Sequence, residues 1–82
     1  MFYTYILYSN KLNKFYVGST ENVEIRIKQH NNGEVKFTSR GIPWEIKYIE
    51  TFADRNLAMK REYEIKRKKS RKYIEWLISS QN

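Results

Sequence analysis

Two short runs rich in aromatic and β-branched residues, Phe2 to Tyr8 and Lys14 to Gly18, flank the segment Ser9-Asn10-Lys11-Leu12-Asn13. Such side chains suit a pleated, half-buried strand, and the Ser and Asn between them supply turn chemistry. The pair predicts an antiparallel hairpin. A sheet this small needs helices packed on it to hide its aromatic face. With 82 residues there is room for one core only, and a chain of that length buries about 60 to 65 % of its unfolded surface. Seven Tyr, four Phe and two Trp must therefore do much of the packing.

The remaining elements follow from caps and periodicity. Ser19-Thr20-Glu21-Asn22 offers several N-caps for a helix carrying Val23 and Ile27, with Gly33 as its stop. Residues 34 to 43 read as a loop with Thr38-Ser39-Arg40-Gly41 as its polar tip. Trp44, Ile46 and Tyr48 alternate with Glu45 and Lys47, which predicts a half-buried strand ending near Phe52. Asp54 caps a helix with Leu57, Ala58, Arg61, Glu62 and Ile65 on adjoining stripes. Ser70 caps a last helix, in which Ile74, Leu77 and Ile78 repeat at core spacing. The expected class is α+β: a small three-stranded antiparallel sheet flanked by three helices, order β-β-α-β-α-α, as a single domain over residues 1–82.

Composition narrows the function. Cys is absent, so neither a disulfide nor a thiolate zinc site staples the fold, which fits a reducing cytoplasm. No apolar run approaches the roughly 20 residues that span a bilayer, and no signal-peptide pattern is present, so the expected location is the cytoplasm with no membrane partner. Lys and Arg total 16 against nine acids, a net charge of +7. Nine of those bases fall between Arg55 and Lys72, with Lys66, Arg67, Lys68 and Lys69 consecutive. A concentrated cationic patch gathers polyanions, so nucleic acid is the first partner to consider. The plainer alternative is a solvated basic helix that keeps the domain soluble.

Several side chains along the chain could carry phosphodiester chemistry. Tyr5 and Tyr16 lie on the two hairpin strands and share a face if Tyr5 opposes Tyr16; a slip by one residue would send the phenols to opposite faces. Simple cross-strand packing would account for the tyrosines equally well. Gly18 would allow a ligand close to the backbone. Arg26 and His30 stand one helical turn apart, at the border of core and solvent, where a phosphate could be reached. His30 is the sole histidine, which excludes a multi-His metal site. Glu62 offers one carboxylate, which with waters and phosphate oxygens makes a normal Mg²⁺ shell. An ion pair from Glu62 to Lys66 is the competing explanation, and Glu64 with Lys68 repeats the spacing. The helix face separates the two glutamates, since Glu62 lies beside Ala58 and Ile65 and Glu64 further toward solvent.

Taken in order, Tyr5 in Tyr3-Thr4-Tyr5, Tyr16-Val17-Gly18, Arg26, His30 and Glu62 resemble the motifs of the GIY-YIG endonuclease family. The first motif departs from its Gly-Ile at Tyr3-Thr4 but keeps the tyrosine. Phe15 to Thr20, Gln29 to Asn31, Pro43-Trp44 and Ala58 to Arg67 are similar to the small standalone branch of that family. Many larger relatives carry an asparagine in the last helix, and none lies between Asn56 and Asn82 here. The resemblance implies a metal-dependent endonuclease acting on nucleic acid, DNA ahead of RNA. Glu62 would hold Mg²⁺ or Mn²⁺, Arg26 would balance charge on the phosphoryl oxygens, and Tyr16 or Tyr5 would handle the water proton with His30 orienting the transfer. Thr38, Ser39, Arg40, Lys66, Arg67 and Lys69 would hold the strand. Two other readings remain: a nucleic-acid-binding module of the same fold with little or no turnover, and a small basic protein-interaction domain.

Overall fold

In the computed structural model, which describes residues 1–81, the hairpin forms as expected: strand β1 (Phe2–Ser9) pairs antiparallel with β2 (Lys14–Thr20). Asn13 closes the turn at φ 52°, a left-handed conformation that asparagine tolerates better than most residues. Strand β3 (Trp44–Phe52) adds to the other side of β1, so the sheet order is β2-β1-β3 and β2 is an edge. Helix α1 (Val23–Asn31) follows the hairpin, and α2 (Arg55–Lys68) and α3 (Arg71–Ser80) follow β3. The α+β architecture and its β-β-α-β-α-α order are those read from the sequence.

The caps explain the helix limits. Asn22 accepts from the Ile25 amide at 3.0 Å, Asp54 from Asn56 at 2.6 Å, and Ser70 from Tyr73 at 3.1 Å. Each bond satisfies an amide that the first turn leaves without a partner, typically worth ~1 kcal/mol. Gly33, at φ +77°, stops α1 in the left-handed region where a glycine carries no steric cost. Among the described residues, no helix is long and apolar enough to cross a membrane.

Both faces of the sheet are covered. On one, Ile6, Val17 and Tyr48 pack with Ile65 of α2 and Leu77 of α3. On the other, Tyr5, Leu7 and Trp44 form a second cluster with Tyr16, Ile27, Ile42 and Ile49. Strict alternation in β3 would have put Trp44, Ile46 and Tyr48 together. Instead the β1–β3 register shifts between Ile6 and Leu7, where Ile6 faces Tyr48 but Leu7 faces Ile46. Lys47 is the extra residue of this bulge, and it turns Tyr48 onto the α2–α3 face while Trp44 stays on the α1 face. Leu57, expected on a packing stripe of α2, is exposed.

The segment read as an open loop is also more ordered. Residues Lys36–Gly41 form a 3-10 helix whose Thr38 and Gly41 are buried rather than forming a polar tip. The Trp44 indole donates to the Thr38 carbonyl at 2.8 Å. Asn31 brackets the same corner, accepting from the Trp44 amide at 2.7 Å and donating to its carbonyl at 3.1 Å. These bonds fasten the 3-10 helix over the end of α1 and thereby bury what lies beneath.

Candidate active site

Register decides where the tyrosines point. Tyr5 opposes Gly18 and Leu7 opposes Tyr16, so the direct Tyr5–Tyr16 pairing does not form. The shift is two residues, and an even shift preserves facing. Tyr5 and Tyr16 therefore sit diagonally on one face of the sheet, the face that α1 covers.

Gly18 makes room for a protein side chain, not for an approaching ligand. A Cβ added there would lie 2.5 Å from the Tyr5 hydroxyl oxygen and 2.6 Å from its Cζ. The phenol ring thus crosses the edge strand at the one position lacking a side chain. Its hydroxyl ends 3.0 Å from Nε2 of His30.

His30 lies deeper than the sequence predicts. It is 0 % exposed, because the last turn of α1 packs on the sheet and the 3-10 helix closes over it. Its Nδ1 stands 2.7 Å from Thr38 Oγ1, and the Thr38 hydroxyl donates to the Val35 carbonyl at 3.3 Å. With the threonine proton so used, Nδ1–H donates to Thr38 and Nε2 accepts from the Tyr5 hydroxyl. Burial pushes the imidazole down to about 4, and the Arg26 charge pushes the same way. At neutral pH His30 is uncharged and does not reach solvent phosphate. Thr38, expected to touch a nucleic-acid strand, is instead the buried anchor of this imidazole.

Burial also raises the Tyr5 phenol to about 12, with Arg26 pulling against the shift and Tyr16 and Glu62 adding to it. Tyr5 is therefore a neutral hydrogen-bond donor at neutral pH. Tyr16 is more open. Its ring stands 5.1 Å from that of His30 and 6.3 Å from that of Trp44, and its hydroxyl makes no hydrogen bond to the described residues. Arg26 is half-buried, held by a 3.0 Å bond from Nη1 to Gln29 Oε1, and pairs with no carboxylate among the described residues. Arg26 and Ser19 line one depression of about 400 Å³ beside α1.

Glu62 comes from the opposite side of the sheet, on α2. Ser19 of β2 donates to its Oε1 at 2.7 Å, and Lys66 Nζ lies 2.6 Å from Oε2. Because β2 is an edge strand, groups from both faces meet around Gly18 and Ser19. The helix-face argument for Glu62 fits, as it is half-buried while Glu64 is exposed. Sequence reading missed Ser19 and Gln29, which hold the two charged groups in place; hydroxyl and amide side chains carry no spacing signal of their own.

A cage of protein ligands is absent: among the described residues no three His, Cys, Asp or Glu side chains converge. The donor set suits Mg²⁺ or Mn²⁺ bound by one carboxylate, with the remaining positions filled by water and substrate phosphate. Lys66 holds Oε2 with a flexible ammonium that can yield the oxygen to another cation. Of the expected strand contacts other than Thr38, Ser39, Arg40, Lys66, Arg67 and Lys69 are all exposed.

Comparison with known proteins agrees with this architecture. The family model described as the GIY-YIG catalytic domain matches residues 1–74. UPF0213 protein SH2523 of Staphylococcus haemolyticus is 46 % identical over 65 residues, covering 78 % of each chain. UPF0213 protein CPE1444 of Clostridium perfringens is 41 % identical over 83 residues, covering 100 % of this chain and 87 % of its own. The solution NMR structure of UPF0213 protein BH0048 from Bacillus halodurans is similar with a TM-score of 0.62 and 35 % identity, over 99 % of this chain and 86 % of that one. The chain belongs to the GIY-YIG family, whose catalytic domain is of the nuclease type.

Proposed function

We propose that this protein is a divalent-metal-dependent endonuclease that hydrolyses phosphodiester bonds in nucleic acid, DNA ahead of RNA, with residues 1–82 as a single domain of that kind. The observation that carries this reading is the meeting, around one edge strand, of Arg26, which pairs with no carboxylate among the described residues, a half-buried Tyr16 and the carboxylate of Glu62. Arg26 binds the phosphoryl oxygens and offsets charge as it develops on them. Tyr16 orients the attacking water through its hydroxyl, and takes that water's proton only as the phenolate, a form that a cation nearby would favour. Tyr5 and His30 do not exchange protons with solvent; their hydrogen bond fixes the phenol face against which Tyr16 and the phosphate are set. Glu62 would hold Mg²⁺ or Mn²⁺, which supplies Lewis-acid polarisation of the phosphate and stabilises the leaving oxygen. Ser39, Arg40, Arg67 and Lys69 grip the backbone on either side.

One observation favours the second reading, a binding module with little or no turnover: Glu62 is already engaged by both Ser19 and Lys66. A cleavage assay over branched, flapped, single-stranded and duplex substrates separates the two. Cleavage with Mg²⁺ or Mn²⁺ that stops in EDTA supports the nuclease. Salt-sensitive binding without cleavage of any substrate supports the module.

A further inference from the structure

Phe37 is 85 % exposed, on the outer side of the 3-10 helix, and nothing in the fold requires an aromatic there. Its ring lies 5.9 Å from that of Tyr16. Between Phe37 and the α2–α3 corner runs an open groove of about 560 Å³, floored by Tyr16 and Val17. Lys14, Lys66, Lys69 and Arg71 line it. Lys14 and Lys69 make no ion pair among the described residues, and Lys66 Nζ stands 5.7 Å from the centroid of the Tyr16 ring. Lys69 is held out of the helical path at φ 48°, where α2 ends.

An exposed aromatic facing a row of lysines across an apolar floor is the composition of a single-strand platform. Bases stack on the ring because every base has a π face, and phosphates lie along the cations. Duplex DNA hides its base faces and would meet only the cations.

We propose that this groove binds an unpaired nucleotide, its base stacked on Phe37 and its phosphates on Lys14 and Lys69. The inference rests on the nuclease reading for its meaning, since the groove leads to Tyr16 and thus defines the substrate as nucleic acid with an unpaired segment beside the cut bond. Lys66 pairs with Glu62 and Arg71 with Glu75, but the two cations left without a carboxylate among the described residues, Lys14 and Lys69, together with the aromatic wall favour this occupant over an uncharged peptide.

The test measures binding in EDTA, so that no turnover enters, by fluorescence anisotropy with a single-stranded oligonucleotide and the matching duplex. The variants are Phe37→Ala, Phe37→Trp and Lys69→Ala. The wild type should bind the single strand more tightly than the duplex. Phe37→Ala should weaken single-strand binding about 10-fold and duplex binding less than about 2-fold, with Phe37→Trp restoring the preference. Lys69→Ala should weaken both and lower the salt slope by about one. Equal loss on both substrates for Phe37→Ala, no loss on the single strand, or tighter wild-type binding to duplex would overturn the proposal. Absence of metal-dependent cleavage with the Phe37 effect intact would sink the nuclease reading alone.

Discussion

Gly18 and Tyr5 are a fitted pair: the glycine leaves the gap and the phenol fills it. Gly18→Ala would drive a methyl into the Tyr5 hydroxyl, and a buried ring bonded to His30 has little room to retreat. The variant should lose about 1–3 kcal/mol of stability, seen as a lower urea midpoint, and should lose cleavage even under conditions where it is fully folded. Wild-type cleavage by folded Gly18→Ala would mean that the Tyr5 position does not matter to the reaction. His30 gives a second residue-scale expectation. Its ordinary pKa is 6.5 and its folded value is about 4, so between those limits the unfolded chain binds more protons than the folded one. Its contribution is therefore fully present above pH 6.5 and is lost as the pH falls toward 4. Between pH 7 and pH 5 the loss should be about 2 kcal/mol. Denaturant titrations at the two pH values check this, and His30→Gln should flatten that part of the dependence. An equal slope in both proteins would show that His30 does not titrate as its burial demands.

At the scale of elements, the 3-10 helix Lys36–Gly41 supports the site from behind, and Thr38 is its contact with His30. Thr38→Val keeps the shape and removes the hydroxyl, leaving a buried ring nitrogen without its partner at a cost of about 1–3 kcal/mol. The loss should appear in the denaturant midpoint, whereas Ser39→Ala, at an exposed position, should stay within about 0.5 kcal/mol of wild type. A Thr38→Val protein as stable as the wild type would contradict the hydrogen-bonded chain. The end of α2 carries a different expectation. Changing Arg67 and Lys69 to Gln should reduce the slope of log affinity against log salt by up to about two, measured on duplex DNA. An unchanged slope would leave these residues as a solvated surface.

Across the whole molecule, the parts that local chemistry controls were legible in the sequence. Asp54 and Ser70 cap their helices as read, the hairpin forms, and the helix-face argument distinguishes Glu62 from Glu64. The parts that depend on distant partners were not. Nothing near Lys47 signals a bulge, because the extra residue is defined only by pairing with Ile6 and Leu7 some 40 positions away in the chain. The burial of His30 and Thr38 likewise depends on Trp44 and Asn31 drawing the 3-10 helix inward, and no local period encodes that closure. The role of Gly18 was half legible: its need for close approach was correct, but the approaching group is Tyr5.

The central claim is that Glu62, held beside the edge strand by Ser19, holds the metal on which cleavage depends. It is tested most directly by single-turnover cleavage in Mg²⁺ and Mn²⁺ at saturating protein, comparing Glu62→Gln with Glu64→Gln. Glu62→Gln removes one charge at nearly constant size, so the fold and nucleic-acid affinity should stay close to wild type while metal-stimulated cleavage falls by at least about 100-fold. Glu64→Gln, at an exposed position two residues further along the helix, should cleave at about the wild-type rate. Equal loss in both variants, or full cleavage by Glu62→Gln, would contradict the account.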